Sequence, residues 1–128
     1  MGTKHGETGM RAIVVDDYQP FLAALTVLLG HKTGVEVVGQ ADNGNDGLKL
    51  IEEMKPDLVL VDYTMPGMGG VEVTRRLKAV AGGPKVIVMS FQTDQECREQ
   101  AMRAGADGFL VKTEMHQELL PLLRSIMG

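Results

Sequence analysis

The chain has no tryptophan and one cysteine, and its other aromatic residues are two tyrosines and three phenylalanines. A lone Cys97 cannot close an internal disulfide, which excludes a disulfide-built secreted scaffold and fits a reducing compartment. Positive charge is not in surplus: 13 Lys and Arg stand against 17 Asp and Glu, for a net charge of -4, and the basic residues are scattered. Phosphate-backbone binding needs a basic stripe, so direct nucleic-acid binding by this chain is not expected. No apolar run approaches the roughly 18 residues of a membrane span, and no linker, low-complexity tract or repeat interrupts the chain. A cytoplasmic protein that stays out of the membrane is the expectation.

The length of 128 residues suits one domain, able to bury about two-thirds of the surface its unfolded chain exposes. Residues 1–10 carry three glycines and no apolar period. They are expected to form a flexible leader or a remnant foreign to the domain, which leaves 11–128 as the folded unit.

The organising stretch is Leu58-Val59-Leu60-Val61-Asp62, followed by Tyr63-Thr64-Met65-Pro66-Gly67. Four apolar residues running into one carboxylate and then a turn place that carboxylate where a buried strand meets the surface. The same plan recurs along the chain. Apolar runs at 12–15, 35–38, 86–89 and 108–111 read as further strands.

Helical spacing joins these strands. Pro20 opens a helix through Phe21, Leu25, Leu28 and Leu29 up to Gly30. Asn43-Gly44-Asn45-Asp46-Gly47 reads as an entry loop to a helix with Leu48, Ile51 and Met54 on its apolar stripe, stopped by Pro56. Val73, Leu77 and Val80 mark a third helix, and Thr93 with Glu96 forms a capping box for a fourth that ends at Gly105. Leu119, Leu122, Leu123 and Ile126 place the last helix against the core. Five two-faced apolar strands alternating with five helices call for an open, doubly wound α/β domain: a parallel sheet between two helical layers.

In such sheets ligands bind beyond the carboxyl ends of the strands. The residues just after the apolar runs are Asp16 and Asp17, Asp62, Ser90 and Lys112; the second strand ends in Gly39-Gln40, as suits an edge strand. Three acids at one rim raise one another's pKa unless a cation sits among them. Oxygen ligands favour a hard ion, Mg²⁺ (or Mn²⁺), and no His or Cys at these strand ends supports zinc. A metal beside one reactive carboxylate suits attack by aspartate on a phosphoryl group. Mg²⁺, Lys112 and Ser90 would then cover its equatorial oxygens.

These residues, in this order on alternating β/α segments, resemble the receiver domains of two-component response regulators from about Arg11 to Ile126. The similarity rests on Asp16-Asp17, Asp62 with Met65-Pro66-Gly67, Ser90 after a strand, and Gly108-Phe109-Leu110-Val111-Lys112. It implies a flavodoxin-like fold with strand order 2-1-3-4-5. It further implies Asp62 as phospho-acceptor and metal residue, Asp17 as direct Mg²⁺ ligand, Asp16 acting through water, the Thr64 backbone carbonyl as another ligand, Lys112 as phosphate partner, and Ser90 with Phe109 as a switch pair. Thr64 and Gln92 stand at rate-tuning positions. The implied partners are a sensor histidine kinase or phosphotransfer protein, and a homodimer through the face of the fourth helix, fifth strand and fifth helix. The resemblance further implies a phospho-acceptor domain that promotes its own phosphorylation and dephosphorylation, not a turnover enzyme. The run from Asp16 to Phe21 is most similar to the subfamily that often carries a helix-turn-helix output domain.

Three positions depart from the family pattern: Thr113 after Lys112, where many receivers have Pro; Phe91 after Ser90, where a small residue is frequent; and Tyr63 beside Asp62. Two other readings compete. A pseudo-receiver scaffold would not use the acids, whereas an aspartyl-nucleophile phosphatase would carry a second acid where Thr64 stands. More ordinary roles are a helix N-terminal charge pair for Asp16-Asp17, a core aromatic for Phe109, inert core for Cys97 and loop packing for Met65 and Met68. His5, His31 and His116 receive no catalytic role.

Overall fold

The structure, a computed structural model, describes residues 9–92 and 94–127, with backbone alone at Lys32. Its elements in chain order are β1 (Arg11–Val15), α1 (Gln19–Lys32), β2 (Glu36–Ala41), α2 (Gly44–Met54), β3 (Leu58–Asp62), α3 (Gly70–Lys78), β4 (Lys85–Ser90), α4 (Gln95–Arg103), β5 (Gly108–Val111), a short 3-10 turn (Lys112–Glu114) and α5 (Met115–Met127). The five strands form one parallel sheet in the order β2-β1-β3-β4-β5. The expected fold class and strand order are both observed.

Strand alternation explains the layers. Side chains of successive strand residues point to opposite faces, and here both faces are apolar. Ala12, Val14, Leu58, Leu60, Ile87, Met89 and Leu110 join Leu22, Leu25 and Leu29 of α1 and Leu119 and Leu123 of α5 in one core. Ile13, Val15, Val59, Val61, Val86, Val88, Phe109 and Val111 join Ile51, Val73, Cys97 and Ala101 in the other. Central strands can be apolar throughout because water reaches neither face. The edge strand β2 is only partly covered.

Several boundaries differ from the sequence reading. Asn43 to Gly47 is no entry loop: α2 starts at Gly44, because the Asn43 side chain accepts from the Asp46 N–H at 2.8 Å and caps the helix there. The first helix runs through Gly30 to Lys32. Val80 leaves the third helical stripe, since α3 stops at Lys78 and Val80 is exposed. Thr93 lies outside the described residues, and the α4 cap is Asp94, whose carboxylate accepts from Cys97 N–H at 3.0 Å. Strand β2 extends beyond residue 38 to Ala41, with a register shift opposite Ala12 and Ile13. Met10 belongs with the sheet: its carbonyl accepts from Glu36 N–H at 2.9 Å and its side chain packs against the α1/α5 core. Residues 1–8 of the expected leader lie outside the described residues.

The turn after β3 is shaped by glycine. Gly67 has φ +75°, where a side chain is strained. At Gly70, the first residue of α3, a Cβ would collide with the Asp62 carbonyl oxygen. The close return of α3 toward Asp62 therefore requires glycine, and the buried Thr74 hydroxyl donates to the Gly70 carbonyl at 2.7 Å to secure it.

Candidate functional site

The alternation that builds the two cores runs on past the strand ends. Asp16 follows Ala12 and Val14 in step, Asp62 follows Leu58 and Leu60, and Lys112 follows Leu110. All three reach the rim on the α1/α5 side and are buried, Asp16 completely. Ser90 follows Val86 and Val88 on the other face, one strand away from Phe109; β4 and β5 pair there as Val88 with Phe109 and Ser90 with Val111.

Lys112 Nζ lies 2.7 Å from Asp16 Oδ2 and 3.3 Å from Asp62 Oδ1. Asp17 is exposed, and one carboxylate oxygen from each of Asp16, Asp17 and Asp62 lies within 4.8 Å of the others. Asp16 Oδ1 accepts from the Tyr18 N–H at 2.9 Å. Its Oδ2 makes no aligned hydrogen bond despite the short ion pair, so it is a buried oxygen with spare acceptor capacity. One ammonium thus pairs with two of three clustered acids. Burial, reinforced by the nearby Asp16 charge, pushes the Asp62 carboxyl up to about 6, against the lowering effect of Lys112 and of the Thr64 backbone hydrogen bond.

This donor set fits a hard divalent ion. It offers only oxygen, its buried Asp16 Oδ2 has no hydrogen-bond partner beside the Lys112 ion pair, and its Asp17 side is exposed. Asp16, Asp17 and Asp62 are the side chains able to hold one. No other such cluster of His, Cys, Asp and Glu occurs among the described residues.

The remaining expected residues fall around this centre. Ser90 is buried, and its Oγ accepts from the Gln92 N–H at 2.9 Å. The Gln92 side chain turns to α4, where its Oε1 accepts from Cys97 Sγ at 3.1 Å. Phe109 is buried with the Arg98 guanidinium 4.9 Å above its ring. Thr64 is exposed on the turn after Asp62. Tyr63 donates from its backbone N–H to the Met89 carbonyl at 2.7 Å and from its hydroxyl to Gln100 Oε1 at 2.5 Å, tying the turn to β4 and α4. Met65 and Cys97 are core side chains. The described peptide bonds are all trans, and Lys112 reaches both acids with Thr113 beside it. Neither His31 nor His116 is at the rim; they line an apolar groove between α1 and α5. His5 lies outside the described residues.

Three aromatic rings also stand here, and the strand-end rule does not find them. Phe21 and Phe91 both lie against Lys112 Nζ, with centroids 4.6 Å and 4.7 Å away, and Tyr18 meets Phe91 edge-on. Only Phe91 is conspicuous in the sequence, by its bulk beside Ser90. A separate groove of about 500 Å³, lined by Gln19, Gln40, Asp42, Asp46, Lys49 and Glu53 among others, includes none of the buried rim residues.

A family profile described as "Response regulator receiver domain" matches residues 12–124. The response regulator GacA of Pseudomonas aeruginosa is 38% identical over 119 residues, covering 93% of this chain and 56% of GacA. The transcriptional regulatory protein LiaR of Bacillus subtilis is 31% identical over 116 residues, covering 91% of this chain and 55% of LiaR. The chain therefore spans about half the length of the curated relatives it matches. Among solved structures, a DNA-binding response regulator of the LuxR family from Staphylococcus aureus superposes with a TM-score of 0.86 at 28% identity, covering 93% of this chain and 99% of that one. The response regulator domain of Thermotoga maritima CheB gives 0.81 at 27% identity, covering 92% and 96%.

Proposed function

The chain belongs to the response regulator receiver domain family, and from that premise we propose that Asp62 accepts a phosphoryl group from a phosphohistidine. The observation that carries this reading is the buried Asp62 carboxylate, 3.3 Å from Lys112 Nζ and within 4.8 Å of the Asp16 and Asp17 oxygens. An Asp62 oxygen attacks phosphorus, the P–N bond to the donor imidazole breaks, and the imidazole leaves with the electron pair. The product is an acyl phosphate on Asp62.

Mg²⁺ (or Mn²⁺), when bound, neutralises charge on the transferring group. Asp16, Asp17 and Asp62 would hold it, with the Thr64 backbone carbonyl. Lys112 offers three donors at the position where phosphate oxygens arrive, and Ser90 supplies a hydroxyl. Because transfer needs little beyond alignment and charge neutralisation, these groups suffice. The same site promotes hydrolysis of its own acyl phosphate, with Thr64 and Gln92 setting the rate.

The output is a two-state switch. In the described state the Ser90 hydroxyl accepts from Gln92 N–H and Phe109 is buried beneath Arg98. Phosphate draws Ser90 toward Asp62, Phe109 follows, and the α4-β5-α5 face changes its affinity for a partner or a second copy. The donor is a sensor histidine kinase or phosphotransfer protein in the cytoplasm, and residues 11–128 are the receiver unit. The names of the relatives, transcriptional and DNA-binding regulators, suggest transcription control as the destination of the signal.

Incubation with a small acyl phosphate and Mg²⁺ should add one phosphate to the wild type and none to Asp62→Ala. Labelling that persists in the variant would remove Asp62 from the role. A pseudo-receiver is distinguished by failing to bind Mg²⁺ in a titration, and a phosphatase by multiple turnover of a phosphomonoester.

A further inference from the structure

Aromatic residues are few in this chain, two tyrosines and three phenylalanines, yet Tyr18, Phe21 and Phe91 gather around one ammonium group. Lys112 Nζ stands over both phenylalanine rings. Phe91 meets Phe21 edge-on at 6.3 Å and Tyr18 at 6.1 Å. Phe21 is 7% exposed and belongs to the α1/α5 core, but Phe91 is 54% exposed. A core role accounts for Phe21 alone. Phe91 leaves half its surface in water while it covers a lysine side chain that is 1% exposed.

The chemistry of that contact differs from that of the carboxylates. An ammonium has three donors and no acceptor. Asp16 and Asp62 compete for those donors; a ring face attracts the charge through its quadrupole, without claiming a directed hydrogen bond. Two rings can therefore hold Nζ in place, dry and oriented, while leaving it a donor for an incoming oxygen. The rings come from separate elements: Phe21 from α1, Phe91 from the loop after β4. Tyr18, from the loop after β1, contacts Phe91 from outside.

We propose that Phe91 is a positioning residue for Lys112, a role whose kinetic consequence rests on the phospho-acceptor reading of Asp62. Phe91 acts through the lysine: it holds the ammonium at the rim so that the phosphoryl oxygen meets a preset donor. Restricting the approach of the donor by bulk alone is the competing role for the same ring, and leucine, which keeps bulk but has no π face, separates the two.

The test uses the full chain with ¹³C-labelled lysine, as wild type, Phe91→Leu and Phe91→Tyr, in NMR and in labelling by a small acyl phosphate with Mg²⁺. Ring currents from two faces should place the Lys112 ε-methylene protons upfield of surface lysines in the wild type and in Phe91→Tyr. In Phe91→Leu they should move toward the surface value. The maximal labelling rate should fall about threefold to tenfold in Phe91→Leu, the range expected for one partly desolvated cation–π contact, with the half-saturating donor concentration unchanged. Phe91→Tyr should restore it. Lys112 resonances that do not move in Phe91→Leu would overturn the proposal, as would an effect confined to half-saturation, which would make Phe91 a gate for the donor. A wild type that takes no phosphoryl group would overturn the reading of Asp62, while the Lys112 resonances still decide for or against Phe91.

Discussion

Lys112 Nζ lies closer to Asp16 than to Asp62, 2.7 Å against 3.3 Å. The lysine's nearer partner is thus the neighbouring acid and not the proposed nucleophile. Asp62 is left partly uncompensated in a buried place, which is why its carboxyl rises to about 6 instead of falling as an ion-paired carboxylate usually does. Four predictions follow from the charge arrangement at and away from the rim.

The raised Asp62 carboxyl makes metal-free stability pH-dependent. The folded state holds this proton more tightly than the unfolded chain, so the contribution is fully present below the ordinary value of 3.8 and is lost as pH rises through about 6. Asp62→Asn should therefore gain on the wild type as pH rises. The difference should be small near pH 4 and on the order of 1–3 kcal/mol at pH 7.5. Urea unfolding in chelator at the two pH values measures it; a difference independent of pH would contradict the assignment.

Removing Lys112 strands two buried acids. Lys112→Met should cost about 3–5 kcal/mol at neutral pH, the usual penalty for breaking a buried pair from one side. Adding Asp16→Asn should recover part of that loss, because the uncompensated charge disappears with it. Equilibrium unfolding of the single and double variants provides the comparison, and a double variant no more stable than Lys112→Met would argue against the ion pair as the cause.

A bound divalent ion should stabilise the fold by mass action. The gain should reach about 2.7 kcal/mol when free Mg²⁺ is a hundredfold above its Kd. Asp17→Ala should abolish most of it while barely changing metal-free stability, because Asp17 is exposed and carries no core packing. Thermal unfolding with and without Mg²⁺ reads both, and a full Mg²⁺ response in the variant would remove Asp17 from the ligand set.

The opposite end of the molecule supplies a control. Asp107 lies 2.7 Å from Lys78 Nζ and accepts from the Val86 N–H at 2.8 Å. Burial pushes its carboxyl up, but Lys78, the Val86 hydrogen bond and Lys85 together bring it below the ordinary value. Its stabilising effect should be present above pH 3.8 and lost as pH falls through the depressed value. Asp107→Asn should cost about 1 kcal/mol at pH 7 and progressively less as pH falls through the depressed value, with labelling of Asp62 unchanged.

Most of this architecture is legible in the sequence, because its logic is repetitive. A two-faced apolar run followed by a polar residue marks each strand and its exit, so Asp16, Asp62, Ser90 and Lys112 follow from counting, and the α/β class follows from the alternation with helical stripes. Helix starts are less legible where capping decides them. Asn43 and Asp94 each compete with neighbouring polar residues as caps, and only the backbone geometry selects between them. The aromatic shell is least legible. Tyr18, Phe21 and Phe91 are up to 73 positions apart in the chain, and nothing local shows that α1 and the loop after β4 bring their rings to the same ammonium.

The central claim is that Asp62 is the residue that takes the phosphoryl group, and the acyl phosphate itself can be trapped to test it. After incubation with a small acyl phosphate and Mg²⁺, borohydride reduction converts a phosphoaspartate to homoserine, and peptide mapping then locates the converted residue. Homoserine should appear at position 62 and at no other aspartate. Homoserine at Asp16 or Asp17, or a phosphate that resists reduction and stays on a hydroxyl residue, would contradict the account.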